Sequence, residues 1–121
     1  MTAAPQLMIL VAGPYRSGAD GDPARIAANV EAMTAVALEL YRRGHLPVMG
    51  EWFALPLIEQ ASRDGAGDSA FDEIFHPIAE RLLERCDGCL RIGGPSEGAD
   101  RMVATARRLG KTVFTDIGQI P

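Results

Sequence analysis

The sequence predicts an α/β three-layer sandwich built on a parallel sheet. Short apolar runs alternate with longer segments of helical periodicity, four runs and three or four helices in turn, and helices covering both faces of a sheet produce that alternation. The first run, Leu7 to Ala12, is apolar without a break, which suits a strand buried on both faces. The stretch from Asp87 to Phe114 reads as apolar run, glycine-rich turn, amphipathic segment, Gly110 and a second apolar run. A right-handed β-α-β crossover is the economical solution for such a pattern. Together these give a sheet of four to five parallel strands in the order 2-1-3-4, a doubly wound arrangement of Rossmann or flavodoxin type.

Each element has its own signal. Leu7 to Ala12 forms the first strand and ends in Gly13-Pro14-Tyr15-Arg16-Ser17-Gly18, a loop whose glycine admits a ligand close to the backbone and whose Arg16 and Ser17 supply donors. Asp22-Pro23 opens a helix, with aspartate as cap and proline at the first helical position. Ile26, Val30, Met33, Ala37 and Leu40 recur at helical spacing, and Gly44 stops the helix. Asn29 on this helix reads as a solvent-facing residue. Leu46 to Met49 is the second strand. Glu51 then stands beside Trp52, the single tryptophan, whose ring can stack on a planar ligand. With Phe53, Leu55 and Leu57, that tryptophan also suits a core cover or a subunit contact. Residues 62 to 69 read as a mobile loop. A helix starting near Phe71 and bent near Pro77 buries Ile78, Leu82 and Leu83, with His76 as a structural residue. Cys89 to Ile92 and Thr112 to Thr115 complete the strands.

Composition bounds the function. At 121 residues, 47% apolar and 23% charged, residues 1–121 form one globular domain. A net charge of −4 leaves no basic face for nucleic acid; Arg101, Arg107, Arg108 and Lys111 read as a solvated face. No apolar run has the length of a membrane span, and residues 1–6 lack a signal peptide's positive segment, so a cytoplasmic protein without a membrane partner is expected. Cys86 and Cys89 form a C-x-x-C that ends a helix instead of opening one, the wrong end for a redox pair. With only His45 and His76 to add, no metal site is expected.

The turn after the third strand is the leading site candidate, because ligands of open parallel sheets sit beyond the strands' carboxyl ends. Ser96 caps the following helix there. Its hydroxyl, the first free N–H groups and the helix dipole converge on a place suited to an anion such as phosphate; the same residues also serve as a plain cap. In the 2-1-3-4 order, Gly13 to Ser17 and Gly93 to Gly98 face each other across one crevice.

Val11-Ala12-Gly13-Pro14-Tyr15 follows the first strand and Gly44-His45 precedes the second. Asp87 precedes the third strand, Ser96-Glu97-Gly98 follows it, and Gly110-Lys111 leads into the fourth. In order and spacing these pieces resemble the nucleoside 2-deoxyribosyltransferase-like superfamily, over nearly the whole chain. Its members hydrolyse or transfer the N-glycosidic bond of nucleosides or nucleoside monophosphates. The resemblance implies that the first loop and Ser96/Gly98 hold the sugar or its 5′-phosphate, and that a homodimer or higher homo-oligomer completes the site. No cofactor is implied.

Two departures matter. The family's nucleophilic glutamate falls six residues after the turn serine, where this chain has Met102. An aspartate eight residues before the one matching Asp87 becomes Ala79. A thioether and a methyl cannot attack an anomeric carbon, so the covalent route is closed. Glu51 and Asp100 are then the candidate catalytic carboxylates, acting on water or on an oxocarbenium-like centre. Gly13, Pro14, Tyr15, Arg16, Ser17, Trp52, Ser96, Glu97 and Gly98 are the candidate binding residues. The expected function is binding of a nucleoside or nucleoside monophosphate, with hydrolysis or transfer at its N-glycosidic bond. The alternative is a catalytically silent nucleotide-binding sensor or partner module.

Overall fold

The computed structural model describes residues 6–67 and 69–121. Four strands, β1 (Met8–Ala12), β2 (Leu46–Val48), β3 (Gly88–Arg91) and β4 (Thr112–Phe114), form one sheet in the order β2-β1-β3-β4. All three pairings are parallel, with Leu10 opposite both Val48 and Cys89, and Leu90 opposite Phe114. The expected order holds; β1, β2 and β4 are each one residue shorter than the expected run, and β3 has the expected length but begins one residue earlier, at Gly88.

Alternation along the buried strands divides the core in two. Ile9, Val11 and Leu90 face Met33, Ala37 and Leu40 of helix α1 (Pro23–Arg42). Leu10, Ala12 and Cys89 face the other way, onto α3 (Ser69–Arg85) and α4 (Glu97–Arg108). These are the three layers, and they follow from a period of two in each strand against 3.6 in each helix. Helix α2 (Gly50–Ala61) packs outboard on α3.

The helix starts obey local chemistry. Asp22 Oδ1 accepts the Ala24 N–H at 2.9 Å with Pro23 next in line. Gly44, at φ 95°, takes the left-handed conformation that ends α1. Pro56 lies inside α2 and Pro77 inside α3, neither ending its helix. The buried face of α3 is Ala70, Phe75, Ala79 and Leu83; of the expected Ile78, Leu82 and Leu83, only Leu83 is fully buried, and the other two are partly buried.

Residues 62–67 and Ser69 are wound where a mobile loop is expected. Ser62–Ala66 winds as a π-type turn continuing α2, interrupted at Gly65 with φ 105°, and α3 already begins at Ser69. Glutamine and arginine side chains explain the persistence: Arg63 reaches Glu59 and Gln60, each at 2.8 Å, and Gln60 reaches Asp64 at 3.2 Å, pairs at the spacing that stabilises helical turns. Asp68 of that segment, and residues 1–5 of the N-terminal reading, lie outside the described residues.

Two side chains stitch the sheet's lower edge. Asp87 Oδ2 accepts the Met8 N–H at 2.8 Å. His45, 5% exposed, accepts the Leu7 N–H at Nδ1 (3.1 Å) while its Nε2 meets the Pro121 carbonyl at 3.0 Å. Cys86 and Cys89 are free thiols, both buried; burial pushes their pKa values up to about 11 and about 12, which keeps them as inert core residues. Among the described residues, no helix is long and apolar enough to cross a membrane.

Candidate functional site

The chain crosses from one half of the sheet to the other between β1 and β3, and the loops leaving these strands touch. A Cβ on Gly13 would stand 3.0 Å from Ile92 Cγ1, and one on Gly93 would stand 2.6 Å from Pro14 Cδ. A side chain at position 93 would therefore collide with Pro14, and one at position 13 would press on Ile92 and Met33. Gly93 also has φ 78°, which side-chain-bearing residues rarely adopt.

Each loop is held from behind. Asn29, expected in solvent, is partly buried and donates from Nδ2 to the carbonyls of Tyr15 (2.8 Å) and Ser17 (3.4 Å). On the other side Arg91 donates to the Ile92 carbonyl, to the Gly94 carbonyl at 2.8 Å and to Asp100 Oδ1 at 3.0 Å. Both loops are thus braced by fixed donors, so the crevice between them has a defined shape.

Ser96 lies at the contact of the two loops. Its backbone is extended, its Oγ accepts the Ala99 N–H at 3.1 Å, and Ser17 Oγ donates to the same oxygen at 3.1 Å. With two donors on that oxygen, the hydroxyl proton of Ser96 is the one left to offer a ligand. The N–H groups of Glu97 and Gly98 open α4 and have no acceptor inside the helix.

A cavity of about 170 Å³ opens beneath this point. From the predicted set it is lined by Gly13, Tyr15, Arg16, Ser17, Glu51, Ser96 and Gly98. Pro14, Trp52, Glu97 and Asp100 do not line it. Pro14 packs on Gly93. Trp52 is 43% exposed on α2, next to Phe53 and Leu57, also outward-facing. Glu97 is exposed. Asp100 is exposed and ion-paired to Arg91, so its carboxylate acts on the loop and not on the cavity.

Glu51 is the one carboxylate among the described lining residues. It sits in the first turn of α2 and is 5% exposed. Burial pushes its pKa up to about 7, against the opposing pull of its own backbone N–H. A carboxyl poised between charge states near neutrality can give or take a proton. Its neighbour Tyr15 has a raised pKa, chiefly from burial, with Arg16 lowering it and Glu51 raising it.

Helix α3 supplies residues that sequence reasoning passed over. Phe71 and Phe75 stack nearly parallel at 4.8 Å between ring centroids, and Tyr15 stacks on both at 6.0 Å. Arg16 lies over the Phe71 ring at 3.8 Å, a cation–π contact at the mouth. His76 lines the cavity too. A signal for them existed: a crossover helix runs antiparallel to its strands, so the first two turns of α3 must return to the ligand end of the sheet. Met102 and Ala79 also line the cavity, 4% and 2% exposed, and both present apolar surface there.

Among the described residues no group of three or more His, Cys, Asp or Glu could hold a metal. No protein-family model matches the chain, and no curated protein matches it.

Proposed function

We infer that the protein binds a nucleoside monophosphate at the crevice between the β1 and β3 loops. The observation carrying this is the joint of Ser17 and Ser96 above the open start of α4, beside a cavity walled by aromatic rings. A phosphate suits the free N–H groups, the Ser96 proton and the helix dipole, with Arg16 as the nearby cation. The aromatic wall of Tyr15, Phe71 and Phe75 suits a planar base.

Chemistry at the N-glycosidic bond would fall to Glu51. With a pKa near 7, its neutral form can donate a proton to a leaving base and its ionised form can take one from water. In the first case the C–N bond breaks with the electron pair going to the protonated base, and water adds to the anomeric carbon with loss of a proton to solvent. No covalent sugar–enzyme bond is involved, in keeping with the thioether of Met102.

One observation favours a silent binding module instead. Met102 and Ala79 leave one wall of the cavity apolar, so a developing positive charge on the sugar would meet a single carboxylate. Calorimetric titration with nucleoside monophosphates, combined with chromatography for released base, separates the readings. Binding with base release supports the enzyme, binding alone the module, and no binding removes both.

A further inference from the structure

His76 has no part in the chemistry assigned to Glu51, yet it is the unexplained polar group of the cavity. Its Nδ1 is buried and meets no hydrogen-bond partner, the one buried side-chain nitrogen or oxygen of that kind among the described residues. Such groups are rare because an unpaired buried polar atom destabilises the fold. Packing does not account for the nitrogen. The ring meets Phe75 edge-on at 5.5 Å and 88°, and Cε1 lies 3.6 Å from where a Gly98 side chain would begin. Phenylalanine would make both contacts.

Its position narrows what the missing partner is. Through Gly98 the ring adjoins the first turn of α4, where the phosphate is assigned, so the next ligand group within reach is the sugar. Ala79, three residues further along α3, is apolar and lines the same cavity, which leaves His76 as the polar group on the α3 wall. Burial, then Arg101, lower the pKa of His76, while Glu80 and Asp72 act the other way, so the surroundings favour the neutral ring. A neutral imidazole offers a donor or an acceptor at Nδ1 according to tautomer, and a hydroxyl satisfies either. The χ2 torsion of histidine is broad, so the ring can turn Nδ1 toward an arriving ligand.

We propose that His76 is a specificity-determining residue that hydrogen-bonds a sugar hydroxyl of the bound mononucleotide. The proposal rests on the mononucleotide reading and deepens it: the site selects a hydroxylated sugar over its deoxygenated analogue.

A cycle crossing protein and ligand changes tests it. Wild type, His76→Phe and His76→Gln are titrated calorimetrically with a ribonucleoside 5′-monophosphate and its 2′-deoxy and 3′-deoxy analogues. In wild type, deleting the paired hydroxyl weakens binding on the order of tenfold. In His76→Phe the same deletion changes affinity less than twofold, and His76→Gln, which keeps hydrogen-bonding capacity, lies between. Equal losses in all three proteins for both hydroxyls overturn the proposal while leaving the mononucleotide reading in place. Absence of binding to wild type overturns both. A measurement without variants guards against misfolding: the ribonucleotide shifts the His76 Nδ1 resonance of ¹⁵N-histidine-labelled wild type, and an unmoved resonance at saturation overturns the proposal.

Discussion

Gly50 lies against Ala79: a Cβ added to Gly50 would stand 3.3 Å from the Ala79 methyl carbon and 4.0 Å from Phe75 Cζ. This contact of two small residues lets the first turn of α2 close on α3, and that closure carries Glu51 into the cavity wall. The methyl at position 79 and the carboxylate at position 51 are therefore one arrangement. A longer side chain at 79 would occupy the space that α2 uses.

Gly50→Val should accordingly destabilise the fold by about 1–3 kcal/mol, the range for overpacking a closed contact. The loss is read as a lower midpoint in urea at unchanged slope. Gly50→Ala is milder, since only a few tenths of an ångström must be found and alanine favours the helix. If the valine variant is as stable as wild type, α2 is not fixed by this contact.

Glu51 gives the stability a pH signature. Its folded pKa, about 7, lies above the ordinary 4.5, so between these values the folded state holds the proton more tightly than the unfolded one. Its contribution is complete below about pH 4.5 and is lost as pH rises through 7. Glu51→Gln removes the dependence. The variant should be more stable than wild type by about 3–4 kcal/mol above pH 8, each pKa unit being about 1.4 kcal/mol, and the two should converge near pH 4. Denaturation across pH 4–9 measures the difference. A constant difference would mean that Glu51 titrates normally.

The fold was legible from sequence because continuous apolar strands, caps such as Asp22-Pro23 and the stops at Gly44 and Gly110 all agreed on one topology. The site was legible in part. Loop residues after β1 and β3 were found by the rule that ligands sit at strand ends, which sees only the strands' own loops. Phe71, Phe75 and His76 enter from α3, through tertiary placement that no local motif marks. Asp100 misled for the opposite reason: an acid in a first helical turn looks catalytic, yet here Arg91, nine residues earlier, takes it. Asn29 was read as solvent-facing because its acceptors, the carbonyls of Tyr15 and Ser17, are backbone atoms invisible to side-chain patterns.

Arg91 and Asp100 should behave unequally when changed. The Asp100 side chain is 69% exposed, so Asp100→Asn should cost less than about 1 kcal/mol and leave ligand affinity within threefold. Arg91→Ala also strips donors from the Ile92 and Gly94 carbonyls, loosening the loop that presents Ser96. It should weaken a mononucleotide severalfold more than Asp100→Asn does. Calorimetry on both variants decides; a large loss of base release in Asp100→Asn alone would restore Asp100 as a catalytic acid.

Ser96 carries two duties that can be told apart. As a cap it holds the Ala99 N–H, and Ser96→Ala should lower stability by about 1 kcal/mol for that reason. As a ligand donor it offers its own proton, because Ser17 and Ala99 already supply donors to its oxygen. A hydrogen bond to a charged phosphate contributes about 1.5–3 kcal/mol. The variant should therefore bind a nucleoside monophosphate about ten- to a hundredfold more weakly. The matching nucleoside, without a phosphate, should lose much less. Loss of the cap cannot imitate this, since a frayed α4 start would weaken both ligands through the shared sugar and base contacts. Titrating both ligands into both proteins gives four affinities. Equal losses would confine Ser96 to its helix and withdraw the phosphate from the start of α4.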